Sequence, residues 1–283
     1  MIVQSVNRAL GILSLFGSTG TFLGISEIAA AMKLNKGTVW GLVTTLEQDR
    51  FLRQDPETHK YTVGPRLFEL GMVYAGSLEI NAQSSRPVQQ LANRTGLNAR
   101  VGVFEGGMIL TTLMALPKSH DSLSHQIGPR IPAYCSGLGK AILAYLPPDE
   151  LNEYLQATNL VRHTPNTIVD QKLLLQDLEQ TRERGYSINR EEMITGVAAL
   201  GTPVFSHKRR VAGAISVSHS SKVLLGDRCE PFARELLSTA SEIARAMGYY
   251  LSTENMQAGS PLWSRAPAVR NRRPLSSGPL AGG

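Results

Sequence analysis

The chain has 283 residues, a formal net charge of +6, 42% hydrophobic residues and two cysteines. No apolar run approaches the roughly 20 residues of a membrane span, the Met1-Ile-Val-Gln-Ser start is no secretory signal, and Cys135 and Cys229 make neither a disulfide framework nor a metal motif. The expectation is a soluble cytoplasmic protein of two domains, or of one domain with a small module.

In chain order, residues 4–16 read as a helix with Val6, Leu10, Leu13 and Phe16 inward, the first helix of a three-helix core, and 17–20 as a loop. Residues 26–46 read as two helices joined by a short turn. The first has Ile28, Ala29 and Met32 at helical spacing and Ser26 as N-cap. Met32-Lys33-Leu34-Asn35 is the turn, with Leu34 plugging it into the core. The second helix starts near Asn35 or Lys36 and buries Val39, Leu42, Val43 and Leu46 on one stripe. Its other face carries Lys36, Gly37, Thr38, Trp40, Gly41, Thr44 and Thr45. That face is poor in carboxylates and rich in small and hydroxyl-bearing groups, as a helix lying in a DNA groove requires: Lys and Thr meet phosphates or base edges, and Gly permits close approach.

Phe51-Leu-Arg53, Gln54 to His59 and Lys60-Tyr-Thr-Val63 then read as strand, turn and strand. A helix-turn-helix followed by a β-hairpin is a winged helix, in which Arg53, His59 and Lys60 reach phosphates or the minor groove. The competing reading is an αα-hairpin packed on a β-hairpin that docks another protein and has no DNA affinity. Charge does not choose strongly between them. Residues 1–66 hold seven Lys/Arg against five acids, whereas 252–283 hold four against one.

Gly64-Pro65 opens a helix with Leu67, Leu70, Gly71, Val73 and Tyr74 on its apolar face, either a linker and dimerisation helix or an extra core helix. Another follows at about 80–95, with Ile80, Val88 and Leu91. From Asn98 strands take over: 99–104 and 108–114 around a Gly106-Gly107 turn, then 186–190, 197–205 and 210–218. Helices are predicted at 136–146, 149–157, 170–185 (Asp170 as N-cap, Gly185 as stop) and 227–250, and 117–132 is irregular. Residues 252–283 carry too few apolar groups to fold. The second domain is thus α/β with a mostly antiparallel sheet, and its placement behind a DNA reader suggests sensing.

No catalytic constellation emerges, which weighs against an enzyme that binds and turns over a small acid. Gly137-Leu138-Gly139-Lys140 imitates a phosphate loop, yet Tyr134 and Ala141 stand where that pattern needs Gly and Ser/Thr. The segment is a Gly-rich turn into a helix start, suited either to a small anion or simply to close packing. Ser216 and Ser218 lie two apart on a strand and share a face, opposite Ile215 and Val217. Cys135 reads as a buried structural thiol, and Glu191-Glu192 as a solvated strand end or loop. The six histidines show no metal-ligand spacing, so no metal or cofactor is expected.

The order of these features resembles the IclR family of bacterial transcription regulators. The resemblance rests on Gln4 to Leu13, Ser26-Glu-Ile-Ala29, Thr38-Val39 with Leu46-Glu47, and Tyr61-Thr-Val-Gly64. It continues in Pro132 with Ser136 to Leu143, and in Gly185-Tyr186 followed by Glu192, Gly196 and Pro203. It spans about residues 4–250 and implies an α+β chain with a winged helix-turn-helix at 1–65, a linker helix at 66–79, a GAF-like effector domain at 80–251 and a disordered tail at 252–283. It also implies dimers or pairs of dimers on palindromic operator DNA, controlled by small molecules, often organic or aromatic acids. DNA contact is expected from Ser26, Lys36, Gly37, Thr38, Trp40, Gly41, Thr44, Arg53 and Lys60. The effector pocket carried over by position comprises Gly137, Leu138, Asn189, Val197, Ala199, Ser216 and Ser218. Three positions depart from the family: Gly41 stands where an Arg is frequent, Asn189 where an acid is common, and Ala199 where Cys occurs.

Overall fold

The computed structural model describes residues 2–17, 21–118 and 128–249, so His120, His125 and the expected tail lie outside the described residues. The chain divides into two compact units, one ending at Leu78 and the other starting at Glu79.

The first unit holds α1 (Gln4–Ser14), α2 (Ile25–Met32), α3 (Lys36–Gln48), β1 (Leu52–Gln54), β2 (Tyr61–Val63) and α4 (Pro65–Ser77). Its core gathers Ile12, Phe16, Ile28, Val39, Val43, Leu46, Leu52 and Tyr61, with Leu34 and Leu42 packed at the edge. Two local expectations are corrected. On α1 the inward stripe is Ala9, Ile12 and Leu13, continued by Phe16 just past the helix end, whereas Val6 and Leu10 are exposed. Both sets fit a helical period, and only tertiary packing chooses between them. At α2 the N-cap is Gly24 rather than Ser26. Glu27 explains the shift: its carboxylate accepts the Gly24 N–H at 2.6 Å, closing the first turn two residues earlier than Ser26 would.

Asn35 caps α3 through Oδ1, which accepts the Thr38 N–H at 2.8 Å. Lys33, in the left-handed region at φ 54°, turns the chain between α2 and α3. β1 and β2 pair antiparallel, and the Leu23–Tyr61 bridge ties the approach to α2 onto the wing. The wing tip is built by Asp55, whose Oδ1 accepts from the Thr58 N–H and hydroxyl at 2.8 and 2.7 Å. Gly64 joins β2 to α4 where no side chain fits, because a Cβ there would lie 2.1 Å from the Arg50 carbonyl oxygen. Its N–H donates to the Phe51 carbonyl at 2.7 Å, and Glu69 on α4 pairs with both Arg50 and Arg66.

The second unit runs α5 (Glu79–Thr95), β3 (Asn98–Glu105), β4 (Met108–Ala115), β5 (Arg130–Pro132), α6 (Gly137–Leu143), α7 (Pro148–Ala157) and α8 (Gln171–Arg184). It continues with β6 (Ser187–Arg190), β7 (Val197–Phe205), β8 (Val211–Ser220), α9 (Ser221–Leu224) and α10 (Cys229–Ala246). The strands form one sheet in the order β5-β4-β3-β8-β7-β6, antiparallel at every pairing. The β3–β4 hairpin turns at Gly106 and Gly107, both at positive φ, as expected. Asp170 and Gly185 bound α8 as their chemistry dictates. The helix expected over 136–146 stops at Leu143, and β5 and α9 are elements the sequence pattern missed.

Both faces of the sheet are covered. Gly213 faces Ile80 of α5, which packs with α10, while Gly102 faces Leu138 of α6. Alternation along the central strands is therefore masked by burial on both sides: Ile215, Ser216, Val217 and Ser218 are all buried.

Candidate functional site

In the first unit, the outer face of α3 presents Lys36, Gly37, Trp40 and Gly41 to solvent, and Thr38 and Thr44 are half-buried. Trp40 is 61% exposed, an unusual position for a large apolar ring on a short helix. Gly41 has open space around the position a Cβ would take, so packing gives no reason for glycine there. Thr45 is turned to its own helix, its hydroxyl donating to the Gly41 carbonyl at 2.9 Å. Ser26 is exposed on the first turn of α2, and Arg53 and His59 are exposed on the wing. Lys60 is held more firmly than the sequence suggests: its ammonium lies 3.0 Å from Glu27, the carboxylate that also closes α2. The Gly24 N–H and then Lys60 hold the Glu27 carboxyl below its ordinary range.

In the second unit, a cavity of about 40 Å³ lies between α6 and the sheet. Its walls include all seven positions singled out from the sequence: Gly137, Leu138, Asn189, Val197, Ala199, Ser216 and Ser218 come together there. The register explains why. Asn189 pairs with Ala199, Ala199 with Ser218, and Ser218 with Asn98, giving one row across four strands. The adjacent row runs Ser187, Gly201, Ser216 and Arg100. Gly201 and Gly137 let α6 settle on this surface: a Cβ on Gly201 would lie 2.2 Å from the Gly137 oxygen.

Of the two readings of the Gly137-Leu138-Gly139 turn, close packing has direct support. A Cβ on Gly139 would lie 2.1 Å from the Ala133 oxygen, and the Gly139 N–H is already taken by the Ser136 hydroxyl at 3.1 Å.

Behind the cavity lies an ionic cluster that sequence reasoning missed. Lys140 on α6 is fully buried, with its ammonium 2.5 Å from Glu192, 2.9 Å from Asp177 and 2.6 Å from the Ile188 carbonyl. Glu192, expected to be solvated, is thus a core residue. Its backbone N–H donates to Asn189 Oδ1 at 3.1 Å, and its carbonyl accepts from Thr167. Burial raises the Glu192 carboxyl above its ordinary range, and Lys140 opposes that shift. Asn189 is pegged at both ends, since its amide N–H also donates to the Cys135 carbonyl. Cys135 itself is buried, and desolvation followed by the nearby Glu192 pushes its thiol up to about 12, which suits a packing residue rather than a nucleophile.

Arg100 is the other residue the sequence did not flag. It lines the cavity from mid-strand, and burial draws its guanidinium below the ordinary arginine value. A lone Arg in an apolar strand is normally read as solvent-facing; only the registered neighbours reveal otherwise. Among the described residues, no cluster of three or more His, Cys, Asp or Glu could hold a metal ion, and no helix is long and apolar enough to cross a membrane.

Comparison with known proteins matches both units. Residues 5–56 match the IclR helix-turn-helix domain and residues 72–245 the family described as Bacterial transcriptional regulator IclR C-terminal. The chain is 33% identical over 250 residues to the HTH-type transcriptional regulator XynR of Escherichia coli K12, covering 88% of this chain and 98% of that one. It is 29% identical to the HTH-type transcriptional repressor AllR of the same strain, covering 87% and 90%. Its fold matches the crystal structure of an IclR homolog from Microbacterium hydrocarbonoxydans complexed with 4-hydroxybenzoate, with a TM-score of 0.75, 22% identity and coverage of 86% and 100%. A helix-turn-helix unit followed by a sheet-and-helix domain, with family matches over residues 5–56 and 72–245, has one consistent reading: this chain belongs to the IclR family of bacterial DNA-binding transcription regulators.

Proposed function

We propose that α3 enters the major groove of operator DNA with Lys36, Gly37, Trp40, Gly41 and the edges of Thr38 and Thr44, while Ser26, Arg53 and Lys60 meet the backbone. The supporting observation is the outer face of α3: basic, hydroxyl-bearing or glycine, with an exposed Trp that packing does not explain. Lys60 serves DNA less directly than Arg53, because it must share its charge with Glu27. Residues 1–65 act as the reader, 66–79 as the linker and 80–251 as the sensor.

The cavity beneath α6 takes a small organic effector, and the bound state biases the placement of paired readers by shifting a pre-existing equilibrium. The 4-hydroxybenzoate in the Microbacterium protein supports a carboxylic acid as its class. Asn189 in place of an acid leaves less negative charge at the wall, which favours an anionic ligand. Titration of carboxylates into wild type and Asn189→Asp tests this, and equal affinities would count against it. The variant needs a folding control, since an aspartate cannot donate to the Cys135 carbonyl as Asn189 does.

Self-association is supported by apolar groups left in solvent. On α4, Phe68 and Val73 are 72% and 73% exposed, and no α4 residue is buried. At α1, the N-cap Val3 and the helical Val6 and Leu10 are exposed as well. Dimerisation through such faces places two readers on a palindromic site.

Fluorescence anisotropy against labelled duplex from upstream of the gene, at several salt concentrations, tests the reading. Binding tighter than to random duplex and falling steeply with salt is expected, and Lys36→Ala lowers the salt slope by about one. Equal weak binding to both duplexes would sink the assignment for that sequence.

A further inference from the structure

Glu27 stands at the joint between α2 and the wing. One carboxylate oxygen accepts the Gly24 N–H at 2.6 Å, and the other lies 3.0 Å from the Lys60 ammonium. The Lys60 backbone is fixed around this contact. Its carbonyl accepts the Asp55 N–H at 2.8 Å, and the adjoining Tyr61 exchanges both backbone hydrogen bonds with Leu23, at 3.0 and 2.9 Å. The ammonium therefore changes partner by a swing of its own side chain, with the wing in place. Both side chains are open to water, 42% and 48% exposed, and an ion pair of that kind is worth at most about fivefold in an equilibrium. A phosphate can displace Glu27 at that cost. Charge around the pair is balanced as well: the wing carries Arg53 and Lys60 against Asp55 and Glu57, and Glu27 adds one more carboxylate from α2.

Resting on the proposal that the wing meets the DNA backbone, we infer that Glu27 is a built-in surrogate for phosphate: its carboxylate occupies Lys60 in the free protein and cancels that lysine's contribution to sequence-independent DNA affinity. A phosphate that approaches Lys60 meets Glu27 within the same few ångströms, so attraction to the ammonium is opposed by a charge of equal size. Orientation of Lys60 by Glu27 works the other way, but an exposed pair orders its side chains only weakly, and the opposing charge wins. A phosphate that takes over the ammonium leaves Glu27 unpaired, with no net charge gained. Random duplex, held through its phosphates alone, feels this cancellation directly.

The test is fluorescence anisotropy of the full chain against a labelled duplex of random sequence, between about 50 and 200 mM salt. Glu27→Gln keeps an oxygen for the Gly24 N–H and removes the charge. It should steepen the salt slope by about one and tighten binding at the low-salt end by about three- to fivefold. Lys60→Ala should leave the slope within about 0.3 of wild type, because the contact it removes is already cancelled, and Glu27→Gln added to Lys60→Ala should do the same. Lys36→Ala is the reference and should lower the slope by about one. A merely structural role for Glu27 would lower stability with or without Lys60 and leave the slope alone. Circular dichroism confirms that each variant is folded, and Lys60→Ala by itself carries the test if Glu27→Gln is not. An unchanged slope in Glu27→Gln, a steepening that persists without Lys60, or a loss of about one in Lys60→Ala would overturn the role of Glu27. With Lys36→Ala still lowering the slope, the DNA reader would stand. Binding without salt dependence in every variant would overturn the reader together with the inference.

Discussion

In the function proposed above, the reading face of α3 and the cavity under α6 solve opposite problems. The first must meet a partner as large as a DNA duplex, so its groups are exposed and lightly held: Trp40 and Lys36 stand in solvent, and a Cβ on Gly41 would meet open space. The second must enclose a small molecule, so its groups are fixed by neighbours: Asn189 is pegged at both ends and Lys140 is locked by two carboxylates and a carbonyl. The difference teaches that substitution should be cheap for folding at the reading face and expensive around the cavity, even where both carry function.

The sharpest break of that contrast is Lys140→Ala. It leaves Glu192 buried without its cation and the half-buried Asp177 with only the more distant Arg184, and chemical denaturation should show a loss of about 3–5 kcal/mol. Combining Lys140→Met with Glu192→Gln should recover much of it, because the buried charge left unpaired is the main cost. Next in size is a pair of glycines with opposite signs. Gly139→Ala forces a Cβ against the Ala133 backbone and should destabilise the second unit by about 1–3 kcal/mol or more. Gly41→Ala meets open space in a helix interior and should stabilise α3 by roughly 1 kcal/mol, read by native-state hydrogen exchange of its amides. A Gly41→Ala protein that gains stability yet loses operator affinity would show that the glycine is kept for the DNA.

The smallest expected effect concerns the wing. The Thr58 backbone N–H, then its hydroxyl, hold the Asp55 carboxyl below its ordinary range. A depressed carboxylate stabilises the folded wing fully above its unfolded pKa, and that contribution is lost as pH falls through the folded value. Asp55→Asn should therefore speed exchange of the Thr58 amide at neutral pH, and the difference from wild type should vanish at acid pH. A difference that persisted in acid would assign the effect to geometry instead of charge.

These two regions also differ in how far they could be read from the chain alone. The helix-turn-helix announces itself locally, through Asn35 ahead of a helix, a carboxylate-poor face and a hairpin with polar turn residues. The caps of α8 and the Gly106-Gly107 turn are equally local, and both stand as read. Arg100, Lys140 and Glu192 carry no such mark. Their roles depend on strand register and on which side of a doubly covered sheet they meet, and a charged residue looks solvated until its partner from another element is known. Ser216 and Ser218 could be flagged because period two is visible within one strand; Asn98 and Ser187, which complete their rows, could not. On α1 Val6 and Leu10 were misplaced for a related reason, while Leu13 and Phe16 pack inward as read: two apolar stripes compete on one helix and only the neighbours decide.

Gly64 has a mechanical consequence. With no room for a side chain against Arg50, and with Glu69 gripping both Arg50 and Arg66, the first turn of α4 has no slack relative to the end of α3. A helix of 13 residues is a rod about 20 Å long. If α4 is the linker and α3 the reading helix, as proposed, torque applied at the far end of α4 would reach α3 as rotation of one stiff body, and DNA contact would be steered through leverage and not through melting of the reader.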